Sequence, residues 1–141
     1  MAVHTKLQDG IAIVTLDRPG AMNAIDLQLL EALLAALDQA GESGAGALVI
    51  TGAGDAFCAG ADLGYVRREH ASDPARALLP LVEAVHAVIR RIRSLPIPVI
   101  AAVEGPAVGA GMGIALAADL RVLGHGASLV PGFVRIGASP D

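Results

Sequence analysis

Two short apolar runs, Ala47 to Thr51 and Val99 to Val103, each lead straight into a stretch of small residues. An apolar run without polar alternation, bounded by glycine, suits a strand buried on both faces, and such strands belong to parallel sheets. Parallel strands need long crossovers, usually helical, so helices must lie between them. The chain supplies these helices. Asp26 is placed to cap a helix whose Leu27, Leu30, Leu34 and Leu37 share one face, and Gly41 stands where a terminating glycine belongs. Pro74 opens a longer helix with Leu78, Val82, Val85, Ile89 and Ile92 as its apolar stripe, ended by Leu95-Pro96-Ile97-Pro98. Before all of this, Ala2 to Gln8 and Ile11 to Leu16 flank Asp9-Gly10, which predicts a β-hairpin stopped by Arg18-Pro19-Gly20. A glycine-rich loop from Gly52 to Gly64 leads into a short helix. Gly109 to Ala118 predicts a closely packed helix, and Leu120 to Leu123 and Ser128 to Val130 predict short strands. The fold class is α/β, and residues 1–141 form one domain.

Composition narrows the function. Hydrophobic residues make up 54% of the chain, which permits a core, and aromatics only 2%, with no Trp, which disfavours stacking on nucleic-acid bases. The net charge is -4, and the cluster Arg90-Arg91-Ile92-Arg93 reads as the solvated end of a helix, so no nucleic-acid partner is expected. Cys58 is the only cysteine, which excludes an internal disulfide and suits a reducing cytoplasm. The first residues lack a signal-peptide pattern, and the longest apolar stretch, Gly105 to Ala118, is too short to span a bilayer, so no membrane association is expected. His4, His70 and His125 show no metal-ligand spacing.

The stretches after the two buried strands share a design. Asp55-Ala56-Phe57-Cys58-Ala59-Gly60-Ala61-Asp62-Leu63 and Glu104-Gly105-Pro106-Ala107-Val108-Gly109-Ala110-Gly111-Met112-Gly113 each put small residues before a helix. A helix start exposes unpaired N–H groups and a positive dipole end. Two such donors meeting on one carbonyl oxygen would form an oxyanion hole. The alternative is that these glycines only permit tight turns and packing. A dinucleotide loop fails, because the third glycine of that pattern falls at Ile114 in one case and at Phe57 in the other. A phosphate loop fails for want of Gly-Lys-Ser/Thr.

Four strings in order change the balance. Ala56-Phe57-Cys58-Ala59-Gly60-Ala61-Asp62-Leu63 resembles the first oxyanion-hole motif of the crotonase (enoyl-CoA hydratase/isomerase) superfamily. Pro98-Val99-Ile100-Ala101-Ala102-Val103-Glu104-Gly105, continuing through Gly109-Ala110-Gly111 to Ala118-Asp119, resembles the second. Leu16-Asp17-Arg18-Pro19 with Met22-Asn23-Ala24 resembles the N-terminal signature. Pro131-Gly132-Phe133-Val134-Arg135-Ile136-Gly137 with Ser139-Pro140-Asp141 resembles a fourth motif. The resemblance implies a spiral of ββα units, of which residues 1–141 would be the incomplete N-terminal core, lacking the C-terminal helical region. It implies isomerase or lyase chemistry of fatty acid metabolism on an acyl-CoA thioester. Coenzyme A then enters only as part of the substrate, with no separate cofactor and no metal, and the protein assembles as a homo-oligomer, trimer or hexamer. Carried over by position, the backbone N–H groups of Ala61 and Ala110 match the oxyanion donors. Ala110 stands where the family usually has Gly. Gly20, Ala21, Met22, Ala59, Gly60, Asp62, Leu63, Gly109 and Phe133 match positions around the substrate and its CoA.

The same resemblance raises the question of the catalytic carboxylate. Family hydratases carry one glutamate where this chain has Gly113 and another where it has Phe133, so simple enoyl-CoA hydration is not expected. Glu104, between a strand and a Pro turn, reads as a loop carboxylate. Asp141 remains, and with Phe133 it resembles the epoxyphenylacetyl-CoA isomerase-like branch, which implies that Asp141 shuttles a proton. His86 borders the apolar stripe of its helix, and its spacing resembles that of the base in the 4-chlorobenzoyl-CoA dehalogenase branch, although Phe133 stands where that branch has Trp. A structural role for His86 stays open. Family members run on beyond this length, so a non-catalytic remnant binding acyl-CoA or a partner is the alternative to an isomerase-type enzyme.

Overall fold

The computed structural model describes residues 2–69 and 73–137. Strands β1 (Val3–Gln8) and β2 (Ile11–Leu16) form the expected hairpin. Asp9 and Gly10 both take positive φ, 52° and 77°, as the two-residue turn matching strand twist requires. Helix α1 (Leu27–Glu42) follows, then β3 (Ala47–Gly52), the short α2 (Leu63–Glu69) and the long α3 (Pro74–Ser94). Next come β4 (Val99–Val103), β5 (Pro106–Val108), α4 (Ala110–Ala117), β6 (Leu120–Leu123) and β7 (Ser128–Val130).

The main sheet has the order β1-β2-β3-β4-β6, antiparallel at the hairpin and parallel from β2 onward. A second, narrower layer pairs β5 with β7 in parallel and is extended by the isolated bridges Cys58↔Ala107 and Ile25↔Ala61. Each unit therefore sends one extended segment to the main sheet and the next to the narrow layer, the alternation of a ββα spiral. Strand β5 was not foreseen. Pro-Ala-Val has no periodicity to read, and becomes a strand because Ser128–Val130 lies beside it.

Two details of α1 differ from the reading of its leucines. The fully buried leucines are Leu29, Leu30, Leu33 and Leu37, while Leu27 and Leu34 are only partly buried. The helix contacts the sheet strands and also α3, so it buries a broader face than one stripe. Gly41 does not terminate it; the helix runs to Glu42, and Gly44 takes the left-handed step, φ +75°. Gly41 instead admits α3, since a Cβ there would lie 2.9 Å from the Leu95 side chain. Asp26 caps the helix as expected, accepting from the Leu29 N–H at 2.8 Å. Among the described residues no helix is long and apolar enough to cross a membrane.

Candidate functional site

The first loop leaves β3 at Gly52 and reaches α2 at Leu63. Its extended part is bracketed by Ile25, whose N–H donates to Gly60 O at 2.7 Å and whose carbonyl accepts from the Asp62 N–H at 2.8 Å. Successive N–H groups of an extended segment point to opposite sides. With Asp62 N–H facing Ile25, the Ala61 N–H faces away from it. Asp62 caps α2, accepting from the Tyr65 N–H at 3.0 Å.

The second loop is zipped to the first. Cys58 N–H donates to Pro106 O at 3.2 Å, and Val108 N–H donates to Cys58 O at 2.9 Å. Gly109, with φ +53°, turns the chain into α4, so Ala110 is the first helical residue, where the N–H has no partner within the helix. Glycine makes the approach possible. A Cβ at Gly60 would lie 2.8 Å from Val108 O and 3.9 Å from the Ala110 nitrogen, and one at Gly111 would lie 2.7 Å from Cys58 Cβ and Sγ. Within this loop network, neither the Ala61 nor the Ala110 N–H has an acceptor among the described residues.

Both residues line one cavity of about 760 Å³, inside the ~300–1,000 Å³ range of small-molecule sites. Ala59, Gly60, Ala61, Gly109 and Ala110 line its loop side. Leu78, Leu81, Val82, Val85, His86 and Ile89 of α3 line the wall, with Leu63, Gly113, Val130, Phe133 and Arg135 around the rest. No carboxylate belongs to this lining among the described residues. Nor do three or more His, Cys, Asp or Glu side chains gather as a metal site among them.

Of the residues matched to the substrate, Ala59, Gly60, Leu63, Gly109 and Phe133 line the cavity, and so does His86. Gly20, Ala21, Met22 and Asp62 do not. The first two belong to a 3-10 turn (Pro19–Ala21), and Met22 is the exposed residue that ends it. The Asp62 carboxylate is turned to Arg18, 3.1 Å away, which also pairs with Asp26 at 2.8 Å. Burial opposes ionisation of Asp62, but the Tyr65 amide, the bond and charge of Arg18 and the Gly64 amide outweigh it and hold the carboxyl below its ordinary 3.8. Burial likewise pushes the Cys58 thiol up to about 11, against a smaller opposite pull from Gly60. Glu104 stays outside the cavity lining, its carboxylate lying over Gly124. Asp141 and His70 lie outside the described residues.

Two polar residues of the site are not singled out by the sequence as individuals. Asn23 is fully buried beneath the first loop, and Arg135 lines the cavity as its cation. Both sit inside motif strings, and the signal that could have singled out Asn23 was an amide side chain among small turn residues.

A family model described as Enoyl-CoA hydratase/isomerase matches residues 6–141. A Rhodobacter capsulatus protein named "Probable enoyl-CoA hydratase" is 42% identical over 145 aligned residues, covering 100% of this chain and 54% of that protein. An Arthrobacter protein named 4-chlorobenzoyl coenzyme A dehalogenase-2 is 38% identical, covering 94% of this chain and 49% of its own. The solved structure of an enoyl-CoA hydratase from Polaromonas superposes with a TM-score of 0.87 at 36% identity, over 100% of this chain and 55% of that one. The chain thus spans about half the length of the curated relatives it matches.

Proposed function

Because the chain belongs to the enoyl-CoA hydratase/isomerase (crotonase) family, we propose that its cavity binds an acyl-CoA thioester with the carbonyl oxygen between the N–H groups of Ala61 and Ala110. One observation carries this reading: both residues line a single apolar cavity, and neither amide has an acceptor among the described residues. Removing a proton from the carbon beside a thioester moves negative charge onto the carbonyl oxygen. Two preorganised donors stabilise that charge, each worth about 3 kcal/mol in a site that excludes water. Apolar α3 side chains supply the exclusion.

A proton shift also needs a base. With no carboxylate in the described lining, and with Gly113 and Phe133 at the two glutamate positions of hydratases, this reading assigns the proton to Asp141. The reaction is then an isomerase-type shift between carbons of an acyl-CoA, in a homo-oligomer. A second reading is favoured by His86, which lines the cavity, and by the dehalogenase among the relatives. In it Asp141 attacks the halogen-bearing carbon of an aryl-CoA ring, halide leaves, and water deprotonated by His86 hydrolyses the resulting aryl ester, restoring the carboxylate and releasing the hydroxyaryl-CoA.

The deciding experiment uses a CoA thioester labelled with ¹³C at its carbonyl. On binding, the carbonyl resonance should move downfield, as polarisation of the bond demands. Proline is tolerated at the first helical position, so Ala110→Pro deletes one donor while keeping α4. It should bind the ester, lose most of the shift and lower kcat by about 10²–10³. A wild-type protein that binds without polarising the carbonyl sinks the reading. Turnover of enoyl-CoA without halide release from 4-chlorobenzoyl-CoA selects the isomerase, and the reverse selects the dehalogenase. Polarisation without any turnover identifies an acyl-CoA binder alone. Asp141→Asn should abolish turnover and leave binding intact; persistent turnover removes Asp141 from the mechanism.

A further inference from the structure

One side chain holds the first amide-bearing loop from beneath. Asn23 is 0% exposed, and a primary amide survives such burial only with its hydrogen bonds filled. Its Nδ2 donates to Ala53 O at 2.9 Å and to Ala56 O at 2.8 Å, and its Oδ1 accepts from the Arg18 N–H at 2.8 Å. The two carbonyls belong to the turn that carries the chain from β3 toward Ala61. Met22 and Asn23 both take left-handed backbone angles, φ 48° and 55°, which Asn tolerates better than most residues. This double step turns the chain so that Met22 O accepts from the Ala59 N–H and Ile25 bonds to Gly60 and Asp62. The segment 22–25 thus grips the loop at 53 and 56 through a side chain, and at 59, 60 and 62 through the backbone. Ala61 sits between the last two holds. Gly52 keeps the fit close, since a Cβ there would lie 2.8 Å from Asn23 Nδ2.

We infer that Asn23 is a positioning residue for the Ala61 amide: its carboxamide sets the turn that aims this N–H at the substrate oxygen. The inference rests on the acyl-thioester reading above. The position demands two donors and one acceptor on a short side chain, which among the natural side chains suits a primary amide. A misplacement of about 1 Å can cost up to roughly a hundredfold in rate, without touching the CoA part of the ligand.

Asn23→Asp tests this in the full chain. It keeps the size, the acceptor for Arg18 and the tolerance of positive φ, but turns lone pairs toward two carbonyls. Asn23→Gly, which suits the backbone angle and removes the side chain, is measured beside it. Each variant that folds, judged by far-UV circular dichroism, should bind the ¹³C-labelled thioester with wild-type affinity. Its carbonyl resonance should return toward the free-ester position, and kcat should drop about ten- to a hundredfold at unchanged KM. If the wild-type protein leaves the carbonyl unshifted, the acyl-thioester reading fails and the role of Asn23 with it. If the wild type shifts the carbonyl and a folded variant keeps the full shift, only the positioning role is overturned. Loss of fold in both variants would make Asn23 a folding determinant and overturn it as well.

Discussion

The two amide-bearing loops are held by different means. In the first, polar side chains reinforce the main-chain bonds: Asn23 beneath the turn, and Arg18 bonded to Asp26, Asp62 and the Ala24 carbonyl. Main chain holds the second, through Val108 N–H to Cys58 O, Gly109 N–H to Val130 O and Ser128 N–H to Gly105 O, with glycines that let backbones touch. The first loop can therefore be loosened by changing a polar group without adding bulk, whereas the second is disturbed chiefly by added atoms.

The largest test of that contrast is Gly105→Ala. Gly105 has φ +64°, and a Cβ there would overlap the Asp55 carbonyl, which is backbone and cannot swing aside. A loss of about 4 kcal/mol or more in urea unfolding is expected; a loss under about 1 kcal/mol would mean the second loop tolerates bulk after all. Next come two substitutions in α4. Gly111→Ala drives a methyl against the Cys58 carbonyl oxygen and to 2.7 Å from Cys58 Cβ and Sγ and should cost about 2–3 kcal/mol. Gly113→Ala adds a Cβ that meets only Ile89 Cδ1, at 3.8 Å. It should leave the melting temperature nearly unchanged, because the gain in helix propensity, about 0.5–1 kcal/mol, offsets minor crowding. Equal costs at both sites would break the claim that close approach is confined to the loop contact.

On the first loop, Arg18→Ala should cost about 1–2 kcal/mol at neutral pH, as a half-buried pair with two carboxylates does. Asp62 has its carboxyl held below its ordinary 3.8. The stability it contributes is thus complete above that value and is lost as pH falls through the lowered one. Urea titrations should show the Arg18→Ala penalty shrinking from about pH 7 to about pH 2; a penalty independent of pH would assign the effect to packing. The smallest effect concerns Cys58. With its thiol raised to about 11 and buried, it should resist iodoacetamide at neutral pH until urea unfolds the chain. Native alkylation at the rate of a free thiol would show that the Cys58↔Ala107 bridge opens in solution.

Much of this architecture was legible in local residue patterns. The hairpin at Asp9-Gly10, the strands at Ile11–Leu16, Val99–Val103 and Leu120–Leu123, the cap at Asp26 and the helix start at Pro74 follow from side-chain period and backbone freedom, which act over a few neighbours. The buried face of α1 was read too narrowly, since α3 packs against it from a distant part of the chain. Gly41 looked like a terminator because the pattern of a C-terminal glycine and that of a glycine at a helix contact are the same letter in the sequence.

The residues by themselves determined that Ala61 and Ala110 would follow buried strands among small neighbours, each close to a helix start. They could not determine that Ala61 and Ala110 line one cavity, nor that Asn23 sits beneath the turn leading to Ala61. Those relations depend on the narrow second layer, where Ile25, Cys58, β5 and β7 meet. Its pairings are single bridges and three-residue strands, too short for any periodicity to announce, and they form because the main sheet and α3 have already brought their segments together.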